Sequence, residues 1–250
     1  MRIKILFDKR AEKDGLRTGW GFSCLAGETI LFDTGENGSW LLNNMDEMKV
    51  DAGRLEAVVI SHDHWDHTGG LWELMKKRTS PLKVFGCPGF SDSFKKKVDR
   101  HKGAFIAKDG FFEIADGIFV TGEIAGRYGG AFMPEQALVV RTDKGTTVVT
   151  GCAHPGIVKM LQTVREAPFT KKNAGTGHDN DEEGIYMAFG GFHLMGSGMQ
   201  EVRSVVRKIR EMDVRNVGPT HCTGEEAEEV FAEEYKKNFI SIKTGMEFEV

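Results

Sequence analysis

The chain has 250 residues, of which 40% are hydrophobic and 28% charged, a balance that excludes an intrinsically disordered protein. Lys and Arg total 33 against 37 Asp and Glu, and the resulting net charge of -4 disfavours nucleic acid as a partner. No apolar run reaches membrane-spanning length and the first residues contain no convincing signal peptide, so we expect no membrane contact and a cytoplasmic location. Four scattered cysteines favour reduced thiols over a disulfide framework.

Short β-strands are predicted along most of the chain. Apolar runs with β-branched residues and Gly or Asp stops predict strands over residues 2–8, 22–26, 29–33, 56–60, 83–85, 117–121, 137–141, 146–150, 185–189 and 214–217. Near the C-terminus, residues 239–242 and 247–250 are predicted to pair with each other.

Helical periodicity falls between these strands, over residues 38–48, 71–78, 91–100, 155–166, 199–212 and 225–237. Pro155 is expected in the first turn of its helix, and the sequence Thr223-Gly224-Glu225-Glu226 has the pattern of a capping box. Residues 168–184 are polar, contain glycine and lack periodicity, so we expect a loop there, either a lid or solvent-exposed filler. The alternation of elements favours one α/β domain over residues 1–250.

One short motif carries metal-ligand chemistry. Directly after the strand predicted at 56–60, the sequence HDHWDH contains His62, His64, Asp66 and His67. Imidazole and carboxylate groups are ligands for zinc, manganese and iron. Four such groups in one loop indicate two adjacent divalent ions, with zinc expected first and manganese or iron as alternatives; a surface histidine cluster is the non-functional alternative.

Further histidines follow other predicted strands. His154 and His221 both lie at a strand end just before a helix, which is where α/β sheets place their sites, and we expect both to ligate metal. His193 ends another strand, and we expect it to contact substrate or donate a proton rather than bind metal.

The stretch HDHWDHTGG at residues 62–70 resembles the signature of the metallo-β-lactamase-fold hydrolases, and LFDTG at residues 31–35 resembles an early turn of that superfamily. The resemblance implies a four-layer αββα sandwich of two mixed β-sheets flanked by helices, with two metals at its rim. It further implies that Asp33 orients a ligating imidazole. The implied ligands are His62, His64 and His154 for one metal, and Asp66, His67 and His221 for the other.

The sequence departs from the family pattern at Cys152. Many members have Thr-Gly-Asp, whose carboxylate bridges the metals, where this chain has Thr150-Gly151-Cys152. Cys152 is therefore open to two interpretations, a thiolate ligand or a small packed side chain. The surrounding TGCAHPG, with GGFHL and THCTG, resembles a branch similar to dihydropterin-6-methyl-(ribofuranosyl)aminobenzene phosphate synthase.

These residues favour a two-metal hydrolase that activates water against a phosphate ester or a similar small molecule, with Asp66 and His193 as catalytic residues. Arg127 and Tyr128, among glycines, are expected to hold a substrate anion, although an exposed charge is the alternative for Arg127. The resemblance to the synthase-like branch offers a transferase alternative, in which pyrophosphate leaves a pterin-like substrate.

Two other classes remain as alternatives. The first is a non-catalytic or redox di-metal protein. Di-iron members of the superfamily that reduce oxygen usually carry Glu at the position of His64, followed by a flavin-binding domain, and we expect neither feature here. A nuclease would require a basic groove or an RNA-binding arm.

Overall fold

Residues 1–167 and 184–250 are described by a computed structural model, in which most strands belong to two mixed sheets. The predicted loop at 168–184 lies outside the described residues except for its last position. The first sheet contains, in spatial order, β15 (Glu247–Glu249), β1 (Arg2–Phe7), β2 (Ser23–Ala26), β3 (Ile30–Phe32), β4 (Ala57–Val59), β5 (Lys83–Phe85) and β6 (Ala104–Ile106). Its pairs are antiparallel from β15 to β3 and parallel from β3 to β6.

The second sheet has six strands: in spatial order, β14 (Asn216–Thr220), β13 (Ile185–Gly191), β12 (Gly145–Thr150), β11 (Leu138–Thr142), β8 (Ile118–Val120) and β7 (Phe112–Ala115). The pairs among β12, β13 and β14 are parallel, and the remaining pairs are antiparallel. A separate hairpin joins β9 (Arg127–Tyr128) to β10 (Ala131–Phe132).

Helices cover the outer face of each sheet. Against the first sheet pack α1 (Gly38–Glu47), α3 (Leu71–Lys77) and α4 (Asp92–Arg100). Against the second sheet pack α5 (Ile157–Arg165), α6 (Met199–Glu211) and α7 (Glu225–Tyr235). The short helix α2 (Trp65–Thr68) lies between β4 and α3. None of the helices in the described part of the chain is long and apolar enough to cross a membrane.

Strand alternation builds the central core. In β1, Ile3 and Ile5 face the second sheet, whereas Leu6 packs with the helices on the outer face. Phe22 and Phe189 meet edge to face across the interface between the sheets, with ring centroids 6.3 Å apart. Full burial of each such side chain contributes about 1.5–3 kcal/mol, so the interface between the sheets holds the two halves of the fold together.

The predicted αββα sandwich is confirmed, but the predicted pairing at the C-terminus is wrong. Residues 247–249 do not pair with residues 239–242; they pair antiparallel with β1, in the register Arg2 opposite Glu249. Residues 239–242 form no strand, and Phe239 makes only an isolated bridge to Val217. The last strand therefore completes the edge of the first sheet beside β1.

The predicted start of α7 at Glu225 is confirmed, but the predicted capping box and the predicted start of α5 are wrong. Gly224 precedes α7 with φ 82°, and no side chain caps the helix. Thr223 instead donates from its hydroxyl to the carbonyl of Thr220 at 2.6 Å. Helix α5 begins at Ile157, two residues after Pro155, so the proline precedes the first turn.

The strands β6, β7, β9 and β10 were not predicted. Their residues are at least partly exposed, and each strand has only two to four residues, which is too few to show a clear alternation. The hairpin turn uses Gly129 and Gly130 with φ of 55° and 82°, and a two-residue turn with both φ positive strongly favours glycine.

Candidate metal centre

The histidines and acids of the HDHWDH motif follow the C-terminal end of β4. His62 is completely buried and His64 is half-buried, and Nε2 of His62 lies 3.1 Å from Nδ1 of His64. The chain then turns into α2, which carries Asp66 and His67 inward, both of them buried. The motif therefore supplies four potential metal ligands within six consecutive residues.

A second set of residues comes from the carboxyl ends of the parallel strands of the second sheet. Cys152 and His154 follow β12, His193 follows β13, and His221 follows β14. Because the two sheets pack face to face, these ends meet the HDHWDH motif at one edge of the sandwich. The structure thus brings together every residue that the sequence analysis named as a metal ligand.

The first candidate ligand group is Asp66, His67, Cys152 and His221, all buried. Oδ2 of Asp66 lies 3.4 Å from Nε2 of His67 and 3.3 Å from Nε2 of His221. Sγ of Cys152 lies 3.3 Å from the same Nε2 of His67. Tetrahedral ligands about 2.0–2.1 Å from a zinc ion would be about 3.3–3.4 Å apart. The nitrogen and oxygen donors are therefore spaced as one bound cation requires, and the sulfur is close to that spacing.

The second candidate ligand group is His62, His64 and His154. The ring of His154 lies 4.5 Å from that of His62 and 5.0 Å from that of His64, measured between centroids. The rings of His62 and His67 are only 4.2 Å apart, so the two groups adjoin. Three imidazoles form a set that fits a divalent ion with an open coordination position.

Three of these imidazoles are held through Nδ1. Nδ1 of His67 is 2.6 Å from Oδ2 of Asp33, which is completely buried. Nδ1 of His62 is 2.9 Å from the hydroxyl of Ser61, and Nδ1 of His154 is 3.0 Å from Oε2 of Glu135. Such contacts fix the ring and, where Nδ1 donates, leave Nε2 unprotonated. Asp33 thus has the position that the sequence analysis expected for it.

His221 is held differently. The backbone N–H of Gly21 donates to its Nδ1 at 3.2 Å, and the ring of Trp20 lies 4.8 Å away. Nε2 of His221 is buried and lies 3.3 Å from Oδ2 of Asp66. The spacing between this nitrogen and the carboxylate oxygen is also that of two ligands of one cation.

The residues of the HDHWDH motif differ in the direction in which their pKa values are shifted. Burial, followed by repulsion from His67, holds the pKa of His62 well below its usual value. Burial acts in the same direction on His67, but Asp33 and Asp66 outweigh it and raise the pKa of His67 well above its usual value. Burial would raise the pKa of Asp66, but hydrogen bonding with His221 and His67 lowers it. Asp66 is therefore ionised and available to a cation.

Cys152 adjoins both ligand groups and a second thiol. Its Sγ belongs to the first group and also lies within 4.8 Å of the donor atoms of His154 and His193. The thiol of Cys222 donates to the carbonyl of Cys152 at 3.5 Å, and both cysteines are buried. Burial, followed by the hydrogen bond with Cys222, raises the pKa of Cys152 well above its usual value.

His193 is exposed at the mouth of the site. Its ring lies 4.6 Å from that of His154, and its backbone has φ 52°, in the left-handed region. A hydrogen bond with Cys222 raises the pKa of His193. Its exposure leaves the ring able to contact a substrate.

Arg127 and Tyr128 lie on the β9–β10 hairpin, whereas the sequence predicted a loop without strands there. The ring of Tyr128 is 4.8 Å from that of His64, and Nη1 of Arg127 donates to the carbonyl of Gly130 at 2.9 Å. Arg127 also lines an open cleft of 440 Å³ together with Ala125, Gly126, Phe132, His154 and Pro155. The ring of Tyr128 is also 5.3 Å from that of His154, so a cation and an aromatic ring both border this candidate ligand.

Three further residues that contact the candidate ligands are not predicted from the sequence: Glu135, Ser61 and Gly21. Glu135 and Ser61 each contact a candidate ligand through a polar side chain, but neither lies in a recognisable pattern. Gly21 has φ 115°, and a β-carbon there would be 2.0 Å from the carbonyl oxygen of Asp66. Glycine is common in this sequence, so Gly21 carries no individual signal.

Comparisons with known proteins agree with this geometry. The model of the metallo-beta-lactamase superfamily matches residues 24–221. A relative from Methanocaldococcus jannaschii, named 7,8-dihydropterin-6-methyl-4-(beta-D-ribofuranosyl)-aminobenzene-5'-phosphate synthase, is 28% identical and the match covers 86% of this chain and 82% of the relative.

Solved structures show the same relationship. The crystal structure of a metal-dependent hydrolase of the beta-lactamase superfamily is 30% identical with a TM-score of 0.79, and the match covers 100% of this chain and 99% of the other. The metallo-beta-lactamase fold protein YhfI from Bacillus subtilis shares the fold at 17% identity, with a TM-score of 0.65 and coverage of 100% and 98%. Members of this superfamily are generally enzymes and typically bind divalent metals. The chain belongs to the metallo-beta-lactamase superfamily.

Proposed function

We propose that this chain is a metal-dependent hydrolase in which two adjacent divalent ions activate water against a phosphate ester or a similar small-molecule substrate. The observation that carries the proposal is the contact between the two ligand groups, through the rings of His62 and His67 with centroids 4.2 Å apart. Two metal sites this close would suit a displacement reaction at the substrate. One ion would stabilise the attacking oxygen, and the other would stabilise the leaving oxygen.

Each of the two ligand groups would hold one ion. His62, His64 and His154 would hold one ion, and Asp66, His67, Cys152 and His221 the other. When bound, the ions would acidify water and polarise the oxygen of the electrophile. Asp66 supplies negative charge to the second ion, and Asp33 keeps the ring of His67 in place.

Residues at the mouth of the site would handle the substrate. The guanidinium of Arg127 borders the same cleft as His154 and suits a phosphate group, because its planar fork matches two phosphate oxygens. His193 is exposed beside His154, where it is placed to donate a proton to a leaving oxygen.

Elemental mass spectrometry on protein purified without added metal tests the first step of the proposal. We expect close to two zinc, manganese or iron ions per chain, together with turnover of a phosphomonoester or phosphodiester that is lost on removal of the ions by a chelator. One ion or none after reconstitution would contradict the dinuclear site. Two ions without any turnover on either ester would contradict the hydrolase and leave a transferase or a non-catalytic metal protein.

A pterin-using transferase is the second candidate. The relative from Methanocaldococcus jannaschii is named as a synthase whose product contains a dihydropterin and an aminobenzene. Large rings are also exposed around the site, with Trp65 61%, Tyr128 52% and Phe132 53% accessible. Exposed aromatic side chains beside a polar centre favour a substrate with a planar ring.

The transferase would join an aromatic amine or ring carbon to a pterin methylene carbon while the bond from that carbon to pyrophosphate breaks. A dihydropterin methyl pyrophosphate incubated with and without an aminobenzene separates the candidates. Amine-dependent release of pyrophosphate, with a coupled product detected by mass spectrometry, would favour the transferase. Release of phosphate or pyrophosphate that does not depend on the amine would favour the hydrolase.

A further inference from the structure

A buried carboxylate that belongs to neither ligand group binds the loop after β12. Glu135 is completely buried, between the β9–β10 hairpin and β11. Its Oε1 accepts the backbone N–H groups of Cys152 at 2.9 Å and Ala153 at 2.8 Å. Its Oε2 accepts the backbone N–H of His154 at 2.8 Å and lies 3.0 Å from Nδ1 of the same histidine. Both oxygens of Glu135 therefore have two donors each.

The backbone of this loop needs such an acceptor. Ala153 has φ 64°, in the left-handed region, and this turn points three successive N–H groups toward one point. Successive amides in this arrangement form a concave site for an anion. Without Glu135 these donors would be buried and unpaired, which would destabilise this conformation of the loop. The carboxylate stabilises a loop conformation that the sequence alone disfavours.

The same loop supplies a residue to each candidate ligand group. Cys152 belongs with Asp66 and His67, whereas His154 belongs with His62. The left-handed residue between them lets two side chains separated by only one position reach neighbouring groups. The contact of Nδ1 of His154 with the carboxylate makes Nδ1 the donor, so that Nε2 is free of a proton.

We propose that Glu135 is the positioning residue of the metal centre, holding Cys152 and His154 together so that one carboxylate orients a ligand for each of the two ions. This inference rests on the proposed function. It also distinguishes Glu135 from Asp33, whose carboxylate contacts the imidazole of His67 alone among the candidate ligands of the described chain.

The substitution Glu135→Gln tests the proposal. Glutamine keeps the shape of the side chain, but its amide group sets N–H donors against the N–H donors of the loop. We expect affinity for both ions to fall by about 10- to 100-fold, measured as metal content after dialysis against increasing concentrations of chelator. Glu135→Asp, which keeps the charge but shortens the reach, is expected to fall between Glu135→Gln and the wild type.

Glu123→Gln is the matched control. Oε2 of Glu123 also accepts a backbone N–H, that of Gly89 at 2.6 Å, but Glu123 belongs to neither ligand group. We expect this variant to retain both ions with wild-type affinity. Thermal unfolding followed by circular dichroism shows that each variant is folded before its metal content is compared.

A second measurement does not depend on metal or on activity. In the metal-free wild type, nitrogen-15 NMR should show a protected Nδ1–H signal from His154, assigned by its absence in His154→Gln, and Glu135→Gln should lose it. A folded Glu135→Gln with both ions at wild-type affinity and this signal intact would overturn the inference while the hydrolase proposal stands. A wild-type chain that binds no metal would overturn the proposed function, and with it the role of Glu135.

Discussion

The backbone N–H of Gly21 and the imidazole of His221 are joined across 200 positions of sequence by a hydrogen bond of 3.2 Å. Gly21 also lies against the carbonyl oxygen of Asp66, so there is no room for a side chain. We therefore expect Gly21→Ala to displace this loop from both ligands and to lose one ion per chain. Elemental mass spectrometry measures the loss.

Gly15→Ala is the matched control for that substitution. Gly15 has a comparable φ of 91°, but a β-carbon there would meet nothing within 4 Å. If both variants lose metal equally, backbone strain rather than the contact at Asp66 and His221 is responsible, and the prediction for Gly21 is wrong.

Asp66 is expected to be essential for one ion, because it is the only carboxylate in its ligand group. Asp66→Ala should reduce the metal content to about one ion per chain and lower kcat by at least about 100-fold. Asp63→Asn is the control, because it replaces another carboxylate of the same motif. Oδ2 of Asp63 accepts a hydrogen bond from the hydroxyl of Ser91 at 2.6 Å, away from the ligands. Full metal content and activity in Asp66→Ala would remove Asp66 from the site.

Asp33 is expected to act through His67. Asp33→Asn keeps the side-chain volume but weakens the contact of 2.6 Å with Nδ1 of His67, so metal affinity should fall by about 10- to 100-fold. Competition with a fluorescent zinc chelator measures the change. Because only one ligand group contains His67, the two ions should be lost at different chelator concentrations; simultaneous loss of both would contradict this assignment.

Arg127 is expected to bind the charged part of the substrate rather than to take part in bond breaking. Arg127→Ala should raise KM for a phosphate ester by about 10-fold or more, with a smaller effect on kcat, since a hydrogen bond to a charged group contributes about 1.5–3 kcal/mol. Arg127→Lys should recover part of the loss. Steady-state kinetics decide the matter, and an unchanged KM in Arg127→Ala would mean that the guanidinium is only an exposed charge.

Asp8 should make the stability of the metal-free chain depend on pH. Burial raises the pKa of Asp8 to about 6, although the hydroxyl of Thr220 donates to it at 2.6 Å. Between about pH 4 and pH 6 the unfolded chain loses this proton while the folded chain keeps it, so the free energy of unfolding falls as pH rises, by on the order of 3 kcal/mol. Urea unfolding should show that Asp8→Asn loses this contribution. An identical pH profile in wild type and variant would contradict the prediction.

The metal ligands could be predicted from the sequence where ligating residue types directly follow predicted strands. His62, His64, Asp66 and His67 form a pattern on their own, and the resemblance to a known superfamily placed His154 and His221 with them. The resemblance also provided the αββα order of layers. The reason is physical: ligands at the ends of parallel strands must be close together, whatever loops connect them.

The missing parts depend on contacts between distant residues. Glu135 lies in an ordinary segment, and nothing in its neighbours signals that it accepts four hydrogen bonds from the loop after β12. The sequence predicts that the last strand pairs with the nearby residues 239–242. Its actual partner is β1, which is more than 240 positions away, and no local pattern indicates that pairing. The capping box predicted before α7 does not form, because the hydroxyl of Thr223 donates to the carbonyl of Thr220 instead.

The candidate ligands come from both sheets, with the HDHWDH motif on the first and Cys152, His154 and His221 on the second. A bound ion would therefore act as a crosslink between the two halves of the sandwich. Ions that bind only the assembled state stabilise it in proportion to the logarithm of their free concentration. We expect the lifetime of this protein in a cell to follow the supply of its metal, so that starvation for the ion would lower its abundance as well as its activity.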